Sequence, residues 1–135
     1  MSMFKIFDVS GSAVSAQTQR LNVVASNLAN VDTIEGPDGS PYKARQVMFQ
    51  TTLMGEVTSA GVRVSDVVES TDKARMMYAP QHPKANAEGY VEGSNVNAVE
   101  EMVNMISASR SYQNNVEVMN TAKSLLLKTL QMGQS

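Results

Sequence analysis

The sequence predicts a mainly α protein with a small β-rich insertion, whose long amino- and carboxy-terminal helices pack as an antiparallel coiled-coil-like pair. Three observations carry this. Apolar residues recur at seven-residue intervals near the start, at Phe7, Val14, Leu21 and Leu28. All four prolines fall in the middle, between Pro37 and Pro83. The run from Ser94 to Met132 contains neither Gly nor Pro.

The first helix is assigned to residues 1–31. Gly11, Thr18 and Ala25 are interposed in its stripe, and Val24 and Val31 widen it, so the face is partly built from small residues. Gly11 lowers helix propensity, which makes the opening turns dependent on context. The helix then gives way in "NLANVDTIEGPDGSPY", where Asn, Asp, Gly and Pro turn the chain.

Residues 32–97 read as a loop and β-rich insertion. In "PYKARQVMFQTTLM", Val47, Phe49, Thr51 and Leu53 share a face if the segment is extended. "GVRVSDVVES" is a second strand, with Val62, Val64 and Val67 on one side. "RMMYAPQHP" adds a short strand before Pro80, and "GPDG" and "HPKANAEGY" are turns.

The second helix occupies residues 98–131, followed by a 132–135 tail. Asn97 caps it, with Glu100 three residues later in the manner of a capping box. Val99, Met102, Ile106, Ser109, Val116, Met119, Leu126 and Leu130 fall near one face. Such a helix is about 50 Å long, more than a small domain needs, and the first helix is the obvious partner within the chain. The triplet Leu125, Leu126 and Leu127 must point in several directions, so a monomer leaves part of it in water and oligomerisation is the remedy.

Composition narrows the function. The 135 residues make one modest unit, 42% apolar and only 18% charged, with ten Met, no Cys and no Trp. A net charge of −2 gives no electrostatic reason to expect nucleic acid. No run reaches the length of a membrane span. The opening "MSMFKIFDVSGSAVSAQTQR" lacks the continuous apolar core of a cleaved leader.

Candidate chemical residues resolve into structural roles. His82 is the single histidine, held between Pro80 and Pro83 with no second His or Cys to share a metal. Asp32, Glu35 and Asp38 lack the spacing of a calcium loop and read as turns leaving a helix. No phosphate-binding glycine motif occurs. Lys43, Arg45 and Arg63 are scattered, and Arg20 and Arg110 sit on the two helices. No catalytic, cofactor-binding or metal site is expected. Tyr42 and Tyr112 suit an interface, since Tyr buries a ring and keeps a polar handle. The Asn residues at 22, 27, 30, 95, 97, 104, 114, 115 and 120 favour half-buried helix seams, where an amide fixes register. The expected assembly interface therefore comprises Phe7, Val14, Leu21, Leu28, Tyr42, Met102, Ile106, Tyr112, Val116, Met119, Leu126 and Leu130.

Longer motifs carry a resemblance. "MFKIFDVSGSAVSAQTQRLNVVASNLANVDT", "GPDGSPYKARQVMFQ" and "HPKANAEGYVEGSNVNAVEEMVNMISASRSYQNNVEVMNTAKSLLLKTL" together resemble the bacterial flagellar rod and hook axial family. The resemblance spans nearly the whole chain, with residues 50–78 contributing least. Related axial proteins often close the first motif with Asn-Thr-Pro-Gly-Tyr, where this chain has an insertion before Tyr42. Ala79 stands where an Asp is common. The resemblance implies a structural subunit of the proximal rod, assembling helically to carry torque across the periplasm. It implies export by the flagellar type III apparatus without a cleaved leader. Its implied partners are copies of itself, FlgB, FlgF, FlgG and the rod–base junction protein FliE. An enzyme or ligand-binding domain would instead need a clustered nucleophile, base and acid. A coiled-coil adaptor would share the helices but have no use for the insertion.

Overall fold

In the computed structural model, residues 3–55 and 59–134 are described. The first two residues of the 1–31 segment and the last of the 132–135 tail lie outside them. Helix α1 spans Met3–Ala29 and helix α2 spans Ala98–Gly133. Between them lie β1 (Arg45–Leu53), β2 (Ala60–Glu69), β3 (Met76–Tyr78) and β4 (Tyr90–Glu92). The strands form two antiparallel two-stranded sheets, β1–β2 and β3–β4. The protein is mainly α with small antiparallel sheets, and its two long helices pack together.

The helices run in opposite directions. Asn27, at the end of α1, bonds Glu101, in the first turn of α2. At the other end Ile6 shares a groove with Val118, Ala122 and Leu125. The inner side of α1 runs through Met3, Ile6, Ser10, Ala13, Gln17, Arg20, Val24 and Asn27, all buried or half-buried and alternately three and four apart. The inner side of α2 runs through Glu101, Met105, Ala108, Asn115, Met119, Ala122 and Leu126, with Tyr112 in the same series at its rim. These spacings keep one stripe per helix facing the partner.

The interior is thin. Among the described residues its buried apolar members are Ala16, Val24, Ala44, Val91, Val96, Ala108 and Ala122. No described Leu, Ile, Met or Phe is buried. Small side chains let the helix backbones approach closely, and the larger apolar side chains stay at least partly exposed.

The β1–β2 hairpin lies against α1. The Ser12 hydroxyl donates to the Val9 carbonyl and accepts the Val62 N–H at 3.1 Å, which pins β2 to the helix. Gly61 permits this approach, because a Cβ there would come within 2.7 Å of the Ser12 hydroxyl. The ladder shifts register between Met48 and Phe49, leaving Ser65 as the extra residue on β2. That bulge carries Val67 to the side of Val62 and Val64, opposite Val47, Phe49 and Thr51.

The α2 N-terminus is closed by Asn97, whose side chain accepts the N–H groups of Val99 and Glu100. The helix continues two residues past the 98–131 expectation, through Gly133, since a single glycine near a helix end need not break it.

Close packing at the seam sets a measurable constraint. Ala108 has no exposed surface. Ala108→Leu is expected to destabilise the fold by about 1–3 kcal/mol through overpacking, read as a lower urea midpoint with an unchanged slope.

Candidate assembly interface

Asn27 joins three elements. It is 1% exposed, and every hydrogen-bonding position of its amide that the geometry uses is directed inward. Its Nδ2 donates to the Arg45 carbonyl at 2.8 Å and to Glu101 Oε2 at 2.9 Å. Its Oδ1 accepts the Tyr42 hydroxyl at 2.9 Å and the Arg45 N–H at 3.0 Å. One side chain thus ties the end of α1, the start of β1 and the start of α2. Glu101 is itself buried, and its other oxygen accepts from Asn104 at 3.4 Å. The position suits a carboxylate because the N-terminus of α2 presents the positive end of the helix dipole. Arg20 and Arg45 line the same cleft of about 230 Å³. Burial raises the Tyr42 pKa above its ordinary value of 10.0, with the Glu101 and Glu69 charges adding to the rise and Arg45 opposing it.

The acidic turn after α1 is consumed by internal contacts. Lys84 pairs with Glu35 at 2.8 Å and donates to the Gly39 carbonyl. Arg75 meets Asp32 at 3.4 Å and the Val31 carbonyl, and the Ser94 hydroxyl donates to that same carbonyl. The Asp38 carboxylate accepts the Ser40 hydroxyl and N–H, and these bonds hold its pKa below the usual value. His82 Nδ1 accepts the Lys84 N–H within its own turn. Asn95 acts as a second polar joint: its Oδ1 accepts the Ala44 N–H, and its Nδ2 donates to the Asp72 carbonyl. Among the described residues no group of three or more His, Asp or Glu could hold a metal ion.

The expected interface residues separate into two sets. Phe7, Val14, Leu21 and Leu28 are half-buried, each one position past the innermost series of α1. Tyr42 is half-buried on the Asn27 amide. On α2, Met119 and Leu126 belong to the inner series, Tyr112 lies at its rim, and Val116 is half-buried beside it. Met102, Ile106 and Leu130 are outside: Ile106 is 60% exposed and turns away from α1. Val99 and Val103 join Met102 and Ile106 in one exposed stripe. The expectation that an Asn fixes register in a helix seam is met at Asn27, whereas sequence reasoning passed over Glu101 as a buried acid and Ala108 and Ala122 as seam residues. The available clue was the alternation of four and three through small and polar residues, which the larger outward Val, Met and Ile outweighed.

Comparison with known proteins now gives this geometry a context. Residues 7–34 match the sequence profile described as "Flagella basal body rod protein". Residues 87–132 match that described as "Flagellar basal body rod FlgEFG protein C-terminal". The two matched segments contain most of α1 and α2, which defines the class: an axial structural subunit of the flagellar rod. The chain is 56% identical over 134 residues to the flagellar basal-body rod protein FlgC of Escherichia coli O6:H1, covering 99% of this chain and 100% of that one. It is 55% identical to FlgC of Yersinia enterocolitica and 45% identical to FlgC of Buchnera aphidicola from Acyrthosiphon pisum, with the same coverage. The chain belongs to the FlgC family of flagellar basal-body rod proteins.

Two outcomes follow from the polar joint. Asn27→Ala leaves Glu101 Oε2 and the backbone groups of Arg45 without this partner, and is expected to destabilise by about 3 kcal/mol. Removing both ends of the bond in Asn27→Leu with Glu101→Leu should lose less than the sum of the single changes, as read by a double-mutant denaturation cycle. The raised Tyr42 pKa gives a second. Its stabilisation is complete below the unfolded pKa near 10.0 and is lost as pH rises through the higher folded value. Alkaline unfolding should therefore be less steep in Tyr42→Phe than in the unaltered chain.

Proposed function

We propose that this chain is a subunit of the proximal rod, assembling helically with other axial proteins to transmit torque across the periplasm. The observation that carries this is the distribution of apolar bulk: the buried apolar residues are Ala and Val, while every described Leu, Ile, Met and Phe is half-buried or exposed. A subunit so built completes its burial in contact with neighbours. The two long helices act as a coiled-coil-like shaft, a reading supported by the alternating spacing of their inner positions. Residues 32–97 form the cover of that shaft, between the helical segments 1–31 and 98–131.

The neighbours in this reading are other copies of the chain, FlgB, FlgF, FlgG and FliE. The route outward is the flagellar type III apparatus. The twelve expected interface residues serve two kinds of contact. Phe7, Val14, Leu21, Leu28, Tyr42 and Val116 reinforce the shaft from its flanks, and Met119 and Leu126 from its inner side. Met102, Ile106, Tyr112 and Leu130 meet adjoining subunits.

Ile106→Asp tests this division. The position is exposed, so the isolated protein should keep its stability to within about 0.5 kcal/mol. Cells carrying the variant should lose swimming and yield basal bodies without complete rods. Unchanged motility and rod assembly would refute the assignment.

A further inference from the structure

The insertion before Tyr42 holds the chain's single Asp-Gly pair, Asp38–Gly39, and the sequence has no Asn-Gly. Both residues are exposed. The turn itself demands the glycine: Gly39 sits at φ +82°, which residues with a side chain rarely adopt. The same lack of a side chain leaves the Gly39 nitrogen unshielded, and the space a Cβ would fill there is open. A backbone nitrogen without steric cover, next to an aspartate carboxyl, is the chemical requirement for closing a succinimide ring.

The fold engages each group that this reaction would use. The Gly39 N–H donates to the Gly36 carbonyl at 2.9 Å, and the Gly36 N–H donates to the Ser40 carbonyl at 2.7 Å, closing a tight loop. Asp38 Oδ1 accepts the Ser40 hydroxyl at 2.7 Å and the Ser40 N–H at 3.1 Å. The Gly39 carbonyl accepts from Lys84 Nζ at 3.2 Å, and Lys84 is itself held by Glu35. For the ring to close, the Gly39 nitrogen must leave Gly36 and the carboxyl must turn away from Ser40.

We infer that Asp38 is a site of spontaneous isomerisation to isoaspartate, which the folded turn suppresses and unfolding releases. The Gly39 nitrogen bonds to Asp38 Cγ, and the carboxyl hydroxyl departs with the Gly39 amide proton as water. The imide then takes up one water. Opening at the Asp38 main-chain carbonyl leaves the chain running through Cγ, as isoaspartate, and opening at Cγ restores aspartate. Nothing is oxidised or reduced, and water is the one co-reactant. Loss of water requires the neutral carboxyl, whereas the Ser40 hydroxyl and then the Ser40 N–H favour the ionised form and hold the Asp38 pKa below its usual value. Ser40 therefore guards the site twice, by fixing the carboxylate and by keeping it charged. The product has one extra main-chain carbon between residues 38 and 39, which displaces the Gly39 carbonyl from Lys84. None of this depends on the assembly reading.

The full chain is incubated near neutral pH, folded and in guanidinium chloride. Isoaspartate is followed by enzymatic methylation of its free carboxylate and located by peptide fragmentation. The denatured chain should accumulate isoaspartate at position 38, and the folded chain should do so at least about tenfold more slowly, since local opening then limits the reaction. Asp38→Glu, which would need a larger ring, should remove the signal. Ser40→Ala should raise the folded rate, relative to its own denatured rate, by about threefold for the lost bond. No isoaspartate at position 38 in the denatured chain would overturn the proposal. So would equal folded and denatured rates, a signal that survives Asp38→Glu, or a folded rate that Ser40→Ala leaves unchanged. Should Ser40→Ala fail to fold, Lys84→Gln frees the same turn through the Gly39 carbonyl. An unchanged folded rate in that variant overturns the proposal equally.

Discussion

The structure depends on one buried amide. Asn27 gives both its hydrogens and both its oxygen lone pairs to groups from β1, α2 and the loop before β1. A buried polar group left unmatched is expensive, so each of these partners must be in place at once. The bond to Glu101 also fixes the axial position of the helices. Ile6 lies three heptads before Asn27, and Ala122 lies three heptads after Glu101, and the two meet in one groove. Apolar contacts alone tolerate sliding by a turn. A polar contact of fixed geometry does not.

Register matters here because the seam is made of small side chains. Ala108 and Ala122 face α1 from α2, and Ser10 and Ala13 face back. Such a seam brings backbones close but buries little area, and burial scales with area. The protein therefore keeps much of its apolar surface unspent within the chain. For an enzyme this would be an aggregation hazard. In the proposed rod-subunit reading it is the material of assembly, and the chain's membership of the FlgC family makes that the relevant comparison.

The insertion serves the same frame by polar means. The acidic turn after α1 is tied to Arg75, Lys84 and Ser94, and Asn95 bridges the start of β1 to the segment after β2. Residues that look chemical in isolation, such as His82 and the Asp32–Asp38 cluster, are used up in turns and loop-to-loop ties. The two small sheets would be marginal alone. The β1–β2 sheet is anchored to α1 through Ser12 and to the Asn27 joint through Arg45, and the segments flanking β3 and β4 are tied to the end of α1 through Arg75 and Ser94.

The sequence by itself determined the order and kind of the two helices and of β1, β2 and β3, while the three-residue β4 had no signal of its own. Heptad recurrence, the Asn97 cap, strand alternation in β1 and β2, and the confinement of proline to the middle are local properties, written within a few turns of chain. Only the tertiary structure decided which face each helix turns inward. Met102 and Ile106 are more apolar than Glu101 and Ala108, so periodicity favours them as the inner face, yet they lie outside. The reason is that close helix approach selects for small volume, and a buried acid is acceptable where an amide from another helix completes it. Neither condition is visible from one helix alone. The partner of Glu101 is 74 residues away in the chain, and a pairing at that separation is a fact of the fold.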